Sequence, residues 1–316
     1  MKKYLFWLGL TIYVICFVGN YIYYQSKQLE DPIFLDHYYD IEVYNDNEVR
    51  LEFYYLTNKN DDATVKFALI NGIEVYPRRD GQFNMWSDNL PEYKQEFTHY
   101  YLKSVIFSIP IKSLSNLENS AGIWTFEDMI VFFNNNQEVN ANIGAVKINI
   151  GQPDTNIFHR RASGGSNQHY DFDLLVVNEP IIIQDIKTSF SKELDDQVKI
   201  KVDLDQKKLK QFEIVRQGQD PPQWFEDEGN LEIENKPGAY VSDGLFPFKL
   251  AAEDWMQLYI QHNPDHDSYY QINVIIEGMT EAGDEFIYTN GIIDDPYLDQ
   301  QSINEIIEMK QGGANK

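Results

Sequence analysis

Residues 126–150 read FEDMIVFFNNNQEVNANIGAVKINI, and the reading of this stretch decides the architecture. Met129, Val131 and Phe133 share one parity and run into Asn134-Asn135-Asn136-Gln137, a tetrad of turn formers. The return strand places Val139, Ala141 and Ile143 on one parity but Val146, Ile148 and Ile150 on the other. A slip of one residue would turn the apolar face outward unless a residue is bulged out of the ladder. Glycine is the residue that tolerates such a position, so the slip at Gly144-Ala145 predicts a β-bulge at Gly144.

The same period of two recurs outward from this hairpin. Towards the N-terminus, Val49, Leu51, Phe53 and Tyr55 alternate, then Val65, Phe67 and Leu69, then Tyr101, Lys103, Val105, Phe107 and Ile109. Gly151-Gln152-Pro153 ends this half. The segment after it has no period as far as Phe172 and contains Ser163-Gly164-Gly165-Ser166-Asn167-Gln168, which predicts a flexible interdomain loop. The strand texture then returns in Val198–Leu204, Met256–Ile260 and Tyr270–Ile276. A two-glycine turn over Glu277–Glu285 and a closing strand, Phe286–Ile293, follow. Both halves thus end on a long strand, a polar turn and a closing strand, the closers containing Asn142-Ile143-Gly144 and Asn290-Gly291-Ile292.

Short strands at this spacing predict a mainly β chain of two tandem antiparallel β-sandwiches, each the size of an immunoglobulin-like or fibronectin-like domain. Neither half has the Cys-Trp-Cys arrangement of a true immunoglobulin domain. The expected limits are a cytoplasmic tail at 1–3, a transmembrane signal-anchor helix at 4–24 and a juxtamembrane linker at 25–35. The first sandwich takes 36–151, the flexible loop 152–173 and the second sandwich 174–300. A short C-terminal helix and disordered tail occupy 301–316. Ser302 followed by Glu305 has the spacing of a capping box and places the start of that helix, with Ile303, Ile306 and Ile307 on one face covering a sheet edge.

Tyr4 to Tyr24 is an uncharged run of 21 residues. As a helix it would be roughly 31 Å long, the thickness of a bilayer's hydrocarbon. Small residues at the −3 and −1 positions of a cleavage site are missing, since Gly19 would place Phe17 at −3 and Ser26 would place Tyr24 there. Cys16 follows Tyr13-Val14-Ile15, which lacks the small residues of a lipoprotein site. These features predict an uncleaved, single-pass anchor that contacts membrane lipid through residues 4–24. Lys2 and Lys3 precede the run and every acidic residue follows it, so the N-terminus is expected in the cytoplasm and the bulk of the chain outside.

The 316 residues carry 26 Lys and Arg against 50 Asp and Glu, a formal charge of −24. Binding to nucleic acid needs a basic face, so that partner class is excluded. One cysteine excludes an intrachain disulfide framework and a cysteine-rich zinc site. No nucleophile elbow, zincin helix, Cys-x-x-Cys or phosphate loop occurs, and no cofactor or catalytic residue is assigned.

Two local groups remain as candidates. His262-Asn263-Pro264-Asp265-His266-Asp267 sits in an expected hairpin loop, where His262, Asp265, His266 and Asp267 could meet as metal ligands. Asn-Pro-Asp is also ordinary turn chemistry, which gives the same residues a solvated role. Trp224-Phe225, beside Pro221-Pro222, could form an aromatic platform for a sugar or peptide, or could seal the end of a sandwich. Trp86, Trp124 and Trp255 are expected in cores or at loop bases. The acidic pairs, among them Asp61-Asp62, Asp171 with Asp173, and Asp294-Asp295, are expected on a solvated face. Arg78-Arg79-Asp80-Gly81 reads as a turn. The function expected from all this is non-catalytic binding of another envelope protein or a cell-wall component. A wall-active hydrolase using paired carboxylates and a metal-binding surface module are the alternatives.

Overall fold

The computed structural model describes residues 2–43, 48–78, 93–114, 122–151, 156–166, 168–194 and 196–313. Trp86, Arg79 to Gly81, Gln152, Pro153, Asn167 and Asp195 lie outside them. After helix α1, Lys2–Ser26, the first half holds β1 Ile33–Phe34, β2 His37–Val43, β3 Glu48–Asn58, β4 Val65–Ile70, β5 Ile73–Val75, β6 Gln95–Glu96 and β7 Tyr100–Pro110. The turn of helix α2, Ile111–Leu114, leads into β8 Ile123–Phe133 and β9 Glu138–Ile150. The second half holds β10 Phe158–Ser166, β11 Tyr170–Val177, β12 Ile181–Thr188 and β13 Val198–Asp203, then helices α3 Gln206–Leu209 and α4 Gln223–Gly229. It closes with β14 Ala239–Tyr240, β15 Phe248–Leu250, β16 Trp255–His262, β17 Tyr269–Thr280, β18 Glu285–Asp294 and helix α5 Gln300–Gly313. The chain is mainly β, with several antiparallel sheets behind an apolar N-terminal helix.

Three sheets organise the strands. One runs β1-β3-β7-β6 and a second runs β10-β11-β16-β13-β14. The third runs β15-β12-β17-β2-β9-β8-β4-β5, with β18 on the other side of β17, and so draws strands from both halves of the chain. Leu51, Phe53, Phe107 and Ile109 of the first sheet pack with Met129, Val131, Ile143 and Ile148 of the third. Leu175, Leu258 and Ile260 of the second sheet pack with Ile183, Ile272, Val274 and Ile276 at the other end of the third. Two separate apolar cores result, each fed by alternate residues of its strands, as the period of two requires.

The halves meet where β2 and β17 pair in parallel, His37 opposite Tyr269 and Tyr39 opposite Gln271. The seam carries a polar network around Asp40. The buried Asp40 carboxylate accepts from Ser189 Oγ at 2.6 Å and from Asn149 Nδ2 at 2.6 Å. Asn273 Nδ2 donates to the Asp40 carbonyl at 3.1 Å. Such pairing removes most of the desolvation cost that burying these groups would otherwise carry.

At the expected bulge, Gly144 has φ +86°. Opposite it, the β8–β9 register shifts between Phe126 and Asp128. A Cβ on Gly144 would stand 2.6 Å from the His37 carbonyl oxygen, so only glycine lets β9 pass β2 here.

Four readings are corrected. The stretch from Arg160 to Ser166 is not a flexible loop but part of β10, paired with β11 from Phe158↔Val177 to Ser166↔Tyr170. In β4 the core face is Ala68 and Ile70, not Phe67, because the ladder to β8 shifts between Val65 and Phe67. Phe67 stacks instead on Phe132 on the opposite face, ring centroids 4.5 Å apart. β17 runs on to Thr280, so the expected turn begins only after Gly278 and Met279 have paired. Helix α5 starts earlier than the capping box implied. Asp299 Oδ1 accepts the Ser302 N–H at 2.8 Å, which makes Asp299 the capping side chain. Its Ile303, Ile306 and Ile307 enter the first core.

Helix α1 contains an apolar window, Phe6–Ser26, long enough to cross a bilayer, and none of it is buried against the rest of the chain. A rod of this kind serves as a membrane anchor or as a signal sequence.

Candidate functional site

Between β13 and β14 the chain leaves the sheets for a helical insert that the sequence reading missed. Its helices are short, four residues in α3 and seven in α4, so little periodicity marks them in the sequence. Asp205 caps α3 by accepting the Lys208 N–H at 3.1 Å. Leu209 and Phe212, with Trp224 and Phe225, pack on Leu174, Val176 and Trp255 of the second sheet's outer face. The aromatic pair of the sequence reading is therefore half-buried on that face, with Phe225 against Phe172 and Phe212 at 5.2 and 4.9 Å.

Beyond this packed end the outer face opens into a recess of about 530 Å³. Tyr170, Phe172, Gln257 and Tyr259 form its floor, α4 contributes Phe225 and Glu228, and β10 contributes Gly164 and Gly165. A Cβ on Gly164 would come within 2.8 Å of the Phe172 ring, and one on Gly165 within 2.4 Å of Asp171 Oδ1. The glycines thus let an edge strand lie close beside its neighbour's side chains, although their composition reads as a loop.

Charges around this floor are held firmly. Glu228 accepts from Tyr259 Oη at 2.6 Å and from Lys208 Nζ at 2.9 Å, and Lys208 also binds Asp203. Burial first, then that bond to Glu228, pushes the Tyr259 phenol far up from its ordinary value. Lys236 Nζ lies 4.0 Å from the Tyr170 ring centroid. Burial pulls the Lys236 ammonium down, against the attraction of Glu228. The buried Gln257 Oε1 has no hydrogen-bond partner among the described residues. A buried acceptor left open at a recess is a ready point for a ligand donor.

A second recess, of about 650 Å³, adjoins the first through Gln168, Tyr170, Gly229 and Asn230. It reaches His169 and His262 at the end of the second sheet. There the loop after β16 crosses to β17 in the third sheet, instead of closing a hairpin within one sheet as expected. Asn263 Oδ1 accepts the Asp265 N–H at 3.1 Å and shapes this loop. Asp294, opposite Tyr270 at the end of β18, meets His266 Nε2 at 2.6 Å and His169 Nδ1 at 2.8 Å through the same Oδ2. Burial alone would raise the Asp294 carboxyl, but the two imidazoles outweigh it and hold it below its usual range. His262 is 0% exposed, and its Nε2 stands 3.4 Å from Asp171 Oδ2.

Of the four residues named from the loop, the structure brings His266 into this cluster and sets His262 beside it. Asp265 stays exposed, and Asp267 accepts from Ser268 Oγ at 3.0 Å. His169, Asp171 and Asp294 come from distant strand ends. No linear spacing connects them; the strand register does.

Further along the same interior, Asp173 is 0% exposed, lies 3.2 Å from Arg160 Nε and binds Asn290. Burial pushes its carboxyl up to about 6, against the lowering effect of Arg160. It lines neither recess.

No family model matches the chain, and no curated protein does. Among solved structures it is similar to the YadV chaperone at 7% identity and a TM-score of 0.22, over 83% of this chain and all of that one. It is similar to the secreted serine protease VesC of Vibrio cholerae at 10% identity and a TM-score of 0.21, over 90% of this chain and 55% of that one. The collagen-binding domain of the surface protein RspB of Erysipelothrix rhusiopathiae gives 9% identity and a TM-score of 0.20, over 84% and 90%. Likenesses at these TM-scores carry no argument about this chain.

Proposed function

We propose that this chain is a non-catalytic binding protein of a cell envelope, held in the membrane as a single pass by α1 with its N-terminus in the cytoplasm. In this reading the rest of the chain forms two immunoglobulin-like β-sandwiches outside the cell. The ligand is an uncharged glycan chain of the wall. The observation that carries the reading is the recess floored by Tyr170, Phe172 and Tyr259 and walled by Phe225. The half-buried rings of Tyr170, Phe172 and Phe225 offer area for the apolar faces of sugar rings, and the Gln257 side-chain oxygen in the floor is an acceptor without a hydrogen-bond partner. The charge of −24 works against polyanionic wall polymers and leaves neutral glycans favoured.

The full chain in detergent, titrated calorimetrically with neutral wall oligosaccharides, tests this. Binding is expected to weaken about tenfold in Phe225→Ala, the loss of one aromatic contact. No heat with any glycan removes the ligand assignment. Hydrolysis of the glycan that disappears in Glu228→Gln removes the non-catalytic assignment. Digestion of intact cells with an external protease tests the topology, which predicts loss of the bulk of the chain.

A further inference from the structure

We propose that His169, His266 and Asp294 form a binding site for one divalent transition-metal ion of the zinc class, reached from the recess that His169 and His262 line. One ligand atom from each residue, His169 Nδ1, His266 Nε2 and Asp294 Oδ2, lies within 4.8 Å of the others. Two imidazoles and one carboxylate are the donor set of three-ligand zinc sites, with a fourth position left for water or a ligand.

Hydrogen-bond bookkeeping at His266 points to a cation. Its Nδ1 stands 2.7 Å from the Ser268 carbonyl oxygen, which can only accept. The ring proton therefore belongs on Nδ1, and a neutral ring then presents a lone pair at Nε2. That lone pair faces Asp294 Oδ2 at 2.6 Å, an atom that already meets His169 Nδ1. Lone pair and carboxylate repel unless a positive charge lies between them. A metal supplies it in the tautomer that the Ser268 carbonyl already enforces, since a ligating histidine characteristically donates its other N–H to a backbone carbonyl.

Surroundings agree with this role. His266 lies flat on Tyr270 at 4.5 Å, which fixes the ring plane, and His262 touches the same ring at 5.9 Å. The His262 ring is buried with neither nitrogen hydrogen-bonded. Its backbone N–H donates to the His169 carbonyl at 2.8 Å and ties the two strand ends together. A fully buried imidazole with no hydrogen bond, its nearest carboxylate oxygen 3.4 Å away on Asp171, is the kind of group that an ion or its bound water satisfies. Ligand atoms around a tetrahedral zinc stand roughly 3.3 Å apart, so the observed contacts of 2.6 and 2.8 Å need open by about 0.5–0.7 Å.

The test uses the full chain in detergent, stripped with chelator and titrated with Zn²⁺ in millimolar Ca²⁺, which occupies scattered surface carboxylates. One ion per chain, a melting midpoint that rises with the logarithm of free Zn²⁺, and visible d–d bands when Co²⁺ replaces it are expected. His169→Gln and Asp294→Asn should each weaken binding at least tenfold, while Asp265→Asn in the same loop leaves it unchanged. A midpoint indifferent to Zn²⁺ with featureless Co²⁺ spectra overturns the proposal and leaves a proton as the bridging charge. Binding that survives both cluster variants overturns it as well. Should Asp294→Asn fail to fold, His169→Gln and the Co²⁺ spectrum of the unaltered chain decide. Glycan binding measured with chelator present is a separate readout and can fail or succeed on its own.

Discussion

His37 and His266 are both buried imidazoles, one in each half, and their ring nitrogens meet opposite kinds of partner. His37 Nε2 accepts the Tyr54 N–H at 3.0 Å, and the ring lies nearly parallel to Tyr54 and Tyr269, at 6.0 and 5.3 Å, beside the stack those two rings form on each other. Burial drags its pKa to about 3, so the ring is neutral and structural. His266 faces two acceptors, a carbonyl and a carboxylate. The first half buries a histidine as an aromatic wedge with one donor to satisfy. The second buries one at a site that demands positive charge. Residue type and burial are alike, and the partners' polarity decides the role.

The largest effect should come from acid acting on His37. In the unfolded chain it takes up a proton below its ordinary value of 6.5; in the fold it refuses one until about pH 3. Stability is complete above pH 6.5 and is lost as pH falls through that window, by roughly 5 kcal/mol at the limit. Urea midpoints measured from pH 7.5 to pH 4 should show this slope, and His37→Phe should flatten it. That variant also carries a fixed cost of about 1–3 kcal/mol, because the Tyr54 N–H loses its acceptor. An undiminished slope in His37→Phe would falsify the assignment.

Gly144→Val should come next. The new Cβ meets the His37 carbonyl in a left-handed backbone conformation, and a loss of about 3 kcal/mol is expected in thermal unfolding. Full stability in this variant would mean that β9 has room to move away from β2.

Asp173 should respond with the opposite sign. Its folded value of about 6 lies above its ordinary 3.8, so the fold binds a proton between these limits that the unfolded chain does not. The residue destabilises above pH 6, by at most about 3 kcal/mol, and the burden disappears as pH falls to 3.8. Asp173→Asn should therefore raise the urea midpoint at pH 7.5, by about 1–3 kcal/mol of stability, and change nothing at pH 3.5. Equal gains at both pH values would show that charge burial is not the cause.

The smallest effect concerns the helix that completes the first core. Asp299→Ala should lower the melting midpoint more than Ser302→Ala, because Asp299 holds the cap. The reverse order would restore the capping box read from sequence.

Much of the ladder was legible because alternation reports burial directly. Leu51, Phe53, Ile272 and Val274 face inward as their parity required, and the break at Gly144 was visible as a change of phase. Alternation failed where another constraint governed it. A register shift turned Phe67 outward, and the glycines of β10 imitated a loop because their side chains were excluded by Phe172 and Asp171. The candidate sites were less legible. Trp224-Phe225 and His266 stood out as local clusters, but His169 and Asp294 are single residues whose meaning arises only when β11, β16 and β18 end at one place. Shared strand β17 had no signature either, since parallel pairing of β2 with β17 depends on residues more than two hundred positions apart.

That the first core is finished by Tyr269, Leu298, Ile303, Ile306 and Ile307 bears on the order in which the protein can be made. Domains usually fold in turn as the ribosome delivers them. Here the earlier half emerges with a gap that only the much later α5 segment fills, so it must wait, incompletely sealed, while the later half is translated and takes shape. Contacts of such long sequence separation slow folding. A ribosome stalled before α5 should therefore carry a protease-sensitive N-terminal half, and emergence of α5 should be what closes it.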